Sequence, residues 1–497
     1  MKTKKINMLY LIYLVLIVSN LLFPIFLKST LSIQMLSLIF GAVSVIELLL
    51  GIYIWYKKNG SLNSAFIYFI LSCYVCWFGQ IIVCGLNLLP KYLVEITNFA
   101  SGAFIHTGAF ALIGFGALFL GGILKYENKT KVTQNKNIRN KNLSKALLMV
   151  GLFMIVISVF GHYYDLINKL IISLKYGYAA LYEQVKTPSP IYNIFSNLKM
   201  FFWPGIFFLL MACKGNKNVF NTILGVALVD IILNFVIGSR SDALVIILAM
   251  FWFYTNEYRS IKLKEYIVIA IILIILLHLV STIASFRLLP NKTLLLFLKE
   301  LFNFSNNTIV KTINEFGFNI FSLHYTMLLI PSTKFYALGY TYFASIMAII
   351  PSALMGGFSF SAAAGLPDWL KTTLHMDYGP GYSILAESFY NFGYFGVFAM
   401  FIIGILAGKL FSNKFKGDKK IIKNGIIAII IYLNIFIARD TFLMVFRKMF
   451  YTIAIPLLLV SLLYKIFKNK SKNKLYIKFK NISNKIYLFF NQSANKS

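Results

Sequence analysis

Uninterrupted apolar runs of about eighteen residues or more recur from one end of this chain to the other, and this alone narrows the fold to a bundle of membrane-crossing helices. With 59% of the 497 residues hydrophobic and 13% charged, little sequence is left for a soluble domain. The first run follows Met1-Lys2-Thr3-Lys4-Lys5 and extends to Leu27. It is too long for a signal peptide and lacks a small-residue cleavage site, so it reads as an uncleaved first span. The net charge of +32 would suit a nucleic-acid binder. Position argues against that partner. The lysines gather in short loops on one side of the spans, the positive-inside pattern, with added attraction to anionic lipid. Cys73, Cys76, Cys84 and Cys213 all fall in apolar segments and read as small buried hydrophobes, not as a disulfide framework or a zinc site.

Spans are expected at about 6–27, 31–56, 62–84, 96–124, 146–161, 199–213, 218–237, 243–257, 266–286, 381–408, 424–438 and 449–466. Two large outer loops, about 162–198 and 288–380, separate them. Lys409 to Lys423 contains six lysines and is therefore cytoplasmic, so the 381–408 helix runs inward. It starts on the side where residue 288 lies, so an even number of crossings must fall between the two. One apolar stretch, 339–356, cannot supply that and is expected to be re-entrant or interfacial, with Pro351 and Gly356-Gly357 helping it turn. The expectation is an all-α integral membrane protein of about twelve transmembrane helices plus this one segment. Both termini are then cytoplasmic. Residues 1–466 form a single polytopic domain, and 467–497 form a basic tail. In the tail Leu475, Phe479, Ile482, Ile486 and Phe489 recur at helical spacing, which suits an amphipathic helix on the inner leaflet. The span at 96–124 carries Gly102, Gly108, Gly114, Gly116, Gly121 and Gly122, small residues that let helices approach closely.

The stretch Asp377 to Gly408 carries the strongest functional signal. A helix is expected to begin at Gly379-Pro380-Gly381, where proline suits the first turn. Ser383, Glu387 and Asn391 recur every four residues and share a face, with Tyr390 and Tyr394 beside it. On this reading Glu387 sits two turns in, roughly 9 Å along the axis. A carboxylate there is costly in lipid, so it faces protein or a water-filled cavity. It is either a functional group or a buried acid that only hydrogen-bonds a neighbouring helix. The outer loop 162–198 carries His162, Tyr163, Tyr164, Asp165, Tyr176, Tyr178, Tyr182, Glu183 and Tyr192. Its tyrosines fit an interfacial aromatic belt and a sugar-binding wall equally well.

Six of the 48 basic residues are arginine. Arg139 and Arg259 are cytoplasmic. Arg240, Arg287, Arg439 and Arg447 map to outer ends of spans, against the positive-inside tendency. A chain that uses lysine almost everywhere else has reason to place guanidinium here: its planar fork binds phosphate through two parallel hydrogen bonds and keeps its charge when desolvated. Beside Arg240, Ser239, Ser241 or Asp242 can cap the next helix, whose N-terminus attracts anions, and Gly238 lets the backbone approach. The competing reading pairs the arginines with Asp242 and Asp440 as structural ion pairs.

No phosphate-binding loop of the G-x-x-x-x-G-K-[ST] type is present, nor an Asp-x-Asp in a soluble domain, so the anion is best read as the pyrophosphate of a lipid carrier. Glycosyl transfer from such a donor needs the leaving pyrophosphate neutralised, which arginines do without a metal or other cofactor. It also needs a general base for the attacking hydroxyl and alignment of both lipid-linked sugars. Candidate catalytic groups are Glu387, His375 and Asp377. Pyrophosphate ligands are Arg240, Arg287, Arg439 and Arg447, with Ser239. Asn391, Tyr390 and Ser383 would position the acceptor sugar.

These motifs resemble the Wzy-type O-antigen and capsular repeat-unit polymerases. The resemblance rests on Gly238-Ser239-Arg240 at the outer end of a span, on Gly381-Tyr382-Ser383 through Ala386-Glu387 and Asn391-Phe392-Gly393, on Gly396 and Gly404, and on the late Arg439 and Arg447. The lead-in Asp377-Tyr378-Gly379-Pro380-Gly381 is less glycine-rich than is usual there. The resemblance implies a GT-C-like glycosyltransferase at the outer face of a bacterial plasma membrane. It would join repeat units carried on undecaprenyl pyrophosphate and work beside a flippase and a chain-length regulator. A flippase for the lipid-linked oligosaccharide would share the outer arginines, but should also show pseudo-repeated halves, and no repeat is evident. A ligase that moves a finished glycan onto another acceptor uses the same donor chemistry.

Overall fold

The structure, a computed structural model, describes residues 2–468 except 90–95, 128–139, 303–307, 351, 377–378, 434–436, most of 177–196 and 260–292, and part of 413–416; beyond 468 it describes only a few positions. The described residues form helices and no strand. Eight helices are long and apolar enough to cross a bilayer: Asn7–Phe26, Ile33–Asn59, Ala65–Gly85, Ser101–Lys125, Lys141–Tyr176, Lys217–Ile237, Ile384–Phe411 and Phe442–Lys468. Lys199–Ala212 is apolar but shorter. The stretches expected at 243–257 and 424–438 are seen as Arg240–Glu257 and Asp418–Tyr432. The stretch at 266–286 lies almost wholly outside the described residues, as does the amphipathic pattern of the tail.

Between 331 and 383 the described helices are short: Tyr340–Met347, Phe360–Ala363 and Leu366–Thr373. An eight-residue helix rises about 12 Å, against about 30 Å of hydrocarbon, so none of them crosses. Two expectations need correction. Residues 308–329, expected within the outer loop 288–380, form the helices Thr308–Gly317 and Asn319–Leu329, and Gly317 packs on the backbone of Gly79 and Gln80 in the span Ala65–Gly85, because the loop reading counted only apolar stretches long enough to stand out in the sequence. The helix Lys141–Tyr176 runs for 36 residues, so His162, Tyr163, Tyr164 and Asp165 are helical and do not open a loop. The local polar cluster suggested a loop, but the apolar spacing resumes at Leu166 and continues. Asp165 is held on the helix by Lys169 at 3.0 Å and reaches Lys199 at 2.9 Å.

The chain divides into two compact units. The first comprises 1–130, 307–414 and 434–447. Its centre is the helix Ser101–Lys125, 94% of whose apolar window is buried, more than in any other candidate span described. Glycine makes this possible. A Cβ added at Gly404 would sit 2.1 Å from the Leu118 carbonyl oxygen, and one at Gly121 would sit 2.3 Å from that of Phe401. Ser101–Lys125 and Gly396–Phe411 thus touch backbone to backbone, as small residues permit between membrane helices.

The second unit comprises 131–306, 415–433 and 448–497. Here Lys141–Tyr176 packs on Phe202–Ala212 at Gly151 and Gly205. Fully buried Asp230 accepts hydrogen bonds at Oδ2 from Trp203 Nε1 at 3.0 Å and meets His162 Nε2 at 2.8 Å. His162 therefore serves an intramembrane acid, which satisfies the requirement that such a group be paired inside the bundle.

Candidate active site

Glu387, Asn391, Ser383 and Tyr390 are all placed by one short helix, Ile384–Phe392. It does not begin at Gly379-Pro380-Gly381 as expected. Residues 379–383 are irregular, Gly381 has a φ of 71°, and Ser383 is the N-cap, its hydroxyl accepting from the Ala386 N–H at 3.1 Å. A serine cap satisfies one of the orphan amides that an interior position would not have. The consequence for Glu387 is large: it lies in the first turn, not two turns in. The helix ends at Gly393, whose φ of 58° and ψ of −138° is a conformation essentially reserved to glycine. After a short tight turn over Gly393–Phe395, the helix Gly396–Phe411 resumes. The span Ile384–Phe411 is therefore a broken helix.

Glu387 is completely buried and both carboxylate oxygens are engaged. Oε1 accepts from the Thr341 hydroxyl at 2.7 Å, and Oε2 accepts from the Phe442 backbone N–H at 2.6 Å. Asn391, one turn further on, is equally committed. Its Nδ2 donates to Thr341 Oγ1 at 2.7 Å and to the Glu387 carbonyl at 2.8 Å, and its Oδ1 accepts from the Gly339 N–H at 3.0 Å. The backbone joins in: Ala337 N–H donates to the Tyr390 carbonyl at 3.1 Å and Leu338 N–H to the Asn391 carbonyl at 2.9 Å. The expected face of Glu387 and Asn391 thus exists, and what it meets is the protein's own chain. Thr341 is the residue that reading the sequence misses. It is 46 positions from Glu387, and nothing local marks a lone threonine as the bridge.

The remaining candidates fall in three places. Arg439 and Arg447 flank the point where Glu387 holds the backbone: Arg439 precedes Phe442 by three residues, and Arg447 lies in the helix Phe442–Met449. The turn before that helix is docked by Trp77 Nε1, which donates to the Ala438 carbonyl at 3.0 Å. Asp440 lies within electrostatic reach of Glu387. His375 is exposed and has a φ of 51°. It closes the helix Leu366–Thr373: its N–H donates to Thr372 O at 3.3 Å and the Met376 N–H to Lys371 O at 3.0 Å, the two bonds of a left-handed helix stop. Arg240 and Ser239 belong to the second unit. Arg240 opens the helix Arg240–Glu257 two residues after Gly238, whose φ is 100°. The Ser239 hydroxyl donates to Asp242 Oδ2 at 2.8 Å. Arg287 and Asp377 lie outside the described residues.

Tyr390 is buried edge-on to the half-buried ring of Trp369, with their centroids 5.1 Å apart. The exposed Lys334 places its ammonium 5.5 Å from the Tyr390 ring and 5.9 Å from that of Trp369. Of the two rings, only that of Trp369 is partly exposed. Among the described residues, no three His, Cys, Asp or Glu side chains are grouped to hold a metal.

The family described as O-antigen polysaccharide polymerase Wzy matches residues 6–471. No curated protein and no solved structure matches the chain. The match takes in every span, the broken helix with its buried Glu387, and the segment carrying Arg439 and Arg447; the chain belongs to the O-antigen polysaccharide polymerase Wzy family.

Proposed function

We propose that this protein polymerises oligosaccharide repeat units carried on undecaprenyl pyrophosphate at the outer face of the plasma membrane. The observation that carries the reading is the family match across nearly the whole chain. In the reaction an acceptor sugar hydroxyl on one lipid-linked unit attacks the anomeric carbon of the growing glycan on another. A new glycosidic C–O bond forms, the C–O bond to pyrophosphate breaks, and the pyrophosphate leaves with the bonding electrons. Arg439 and Arg447 take up the negative charge that develops there, a stabilisation that needs no metal in this scheme, and Arg240 and Arg287 are assigned to phosphate from their sequence context alone. The hydroxyl proton goes to a general base. Glu387 is sealed among protein donors, so we assign that role to His375, whose imidazole is exposed, with Asp377 two residues on in the chain as the alternative. The partly exposed ring of Trp369, against which the buried Tyr390 packs, is assigned to the acceptor sugar.

The test is reconstitution. The purified protein in lipid vesicles, given pyrophosphate-linked repeat units, should build a ladder of longer glycans and release one lipid pyrophosphate per bond formed. A flippase would move the units and leave their length unchanged. A ligase would consume donor only when a different acceptor was supplied.

His375 gives a sharper experiment. Glycine adopts the left-handed conformation at His375 without strain, so His375→Gly keeps the helix stop and removes only the ring. The variant should fold as the parent does and elongate roughly 10²-fold more slowly or worse. An unchanged elongation rate would make His375 a helix cap and nothing more.

A further inference from the structure

An intramembrane glutamate in a glycosyltransferase invites assignment as the base, yet the contacts of Glu387 describe a different task. We infer that Glu387 is a positioning residue: with Thr341 and Asn391 it clamps the start of the helix Phe442–Met449 and thereby sets where Arg439 and Arg447 stand.

Three observations carry this. First, Phe442 is the first residue of its helix, so the N–H that donates to Glu387 Oε2 is one of the orphan amides of a helix start. A carboxylate at that place is favoured by the helix dipole as well as by the hydrogen bond. Second, the other oxygen is not left for a substrate. It is bonded to Thr341, which Asn391 holds from its other side, so Glu387, Thr341 and Asn391 form a closed ring of donors and acceptors, each fully or almost fully buried. Third, the ring ties together segments far apart in the chain. Glu387 and Phe442 are 55 residues apart, and Asn391 Oδ1 fixes Gly339 52 residues away. The broken span is what allows it, because only a helix that starts and stops inside the protein presents its first turn to two other segments at once. Arg447 follows the clamped amide by five residues, about 7.5 Å of helix rise, and Arg439 precedes it by three. Both are therefore referenced to one fixed backbone atom. The consequence for catalysis rests on the pyrophosphate role proposed above for those arginines.

Glutamine separates clamp from base. In Glu387→Gln the side-chain carbonyl can still accept from Phe442, and its amide can donate to Thr341 Oγ1, but it cannot take up a proton. Hydrogen exchange of the full-length protein in lipid discs reads the amides of Phe442 to Val445 directly, whatever the enzyme's activity; surface glycan length in cells reads function. Glu387→Ala should raise exchange at those amides by at least about tenfold and collapse the glycan towards single units. Glu387→Gln should restore both. Thr341→Val, which keeps the shape and removes the hydroxyl, should change both in the same direction as Ala and to a smaller extent. If Glu387→Ala leaves exchange unchanged, there is no clamp. If Glu387→Gln protects the amides and still makes no polymer, the proton is what matters, and Glu387 is the base. If Glu387→Ala frees the amides while chains stay long, the clamp stands, and the role given to Arg439 and Arg447 falls.

Discussion

Cells carrying Arg240→Lys should display single repeat units where the parent displays long chains, with the variant present in the membrane at normal amounts. Lysine keeps the charge and loses the fork, so the substitution separates two-point phosphate binding from simple electrostatics. Removing one well-placed donor from a site of developing charge costs roughly 10²-fold or more in turnover. Chain length is a product of many turnovers, so a defect of that size appears as collapse of the length distribution. Single units still reaching the surface would show that transport is intact and that joining is the lost step. Arg240 opens a helix of 18 residues after the left-handed Gly238. Unchanged chain length in a well-expressed Arg240→Lys protein would leave the phosphate role to Arg287, Arg439 and Arg447.

Gly404→Val should remove folded protein from the membrane. The Cβ that valine requires would lie 2.1 Å from the Leu118 carbonyl oxygen and 2.9 Å from its carbonyl carbon. These are backbone atoms in the middle of the most buried helix and cannot swing aside as a side chain would. The helices must separate, and every contact along Ser101–Lys125 and Gly396–Phe411 loosens with them. A cost of about 3 kcal/mol or more is expected, at the upper end for overpacking. The broken span, with Glu387 at its head, would lose its anchor. Fluorescence-detected gel filtration of the tagged protein reads this directly. Gly225→Ala is the control: nothing lies within 4 Å of a Cβ there, and alanine is the better helix former. A Gly404→Val protein that runs as a sharp, full-height peak would mean that the two helices do not touch by their backbones.

What could be read from the sequence of this protein is whatever depends on neighbours in the chain. Apolar runs long enough to cross a bilayer announce themselves, because hydrophobic length is a local property, and eight of the expected stretches are seen as long apolar helices. That 339–356 does not cross by itself is an expectation from counting crossings between lysine-rich loops, and the helix described there, Tyr340–Met347, is short; the helices Thr308–Gly317 and Asn319–Leu329 left no such signal. Glycine density in Ser101–Lys125 signalled close packing because a missing side chain has one plain use between membrane helices. The face shared by Glu387 and Asn391 also follows from spacing, since a helix repeats every 3.6 residues.

Tertiary structure decided the rest. Where the site helix begins was misread because Pro380 is compatible with a first turn, while Ser383 is a better cap and Gly381 takes a left-handed φ. His162 and Asp165 looked like loop residues because their partners, Asp230 and Lys199, are more than thirty positions away. Above all, the sequence leaves open whether Glu387 is a functional group or an acid that bonds a neighbouring helix, and names none of its partners. A carboxylate's meaning lies in its donors, and these come from Thr341 and from the amide of Phe442, 46 residues before it and 55 after. Hydrogen bonds between distant segments leave no periodicity in the chain that forms them, so only the folded molecule could show that the acid at the centre of the site is holding the protein's own helix.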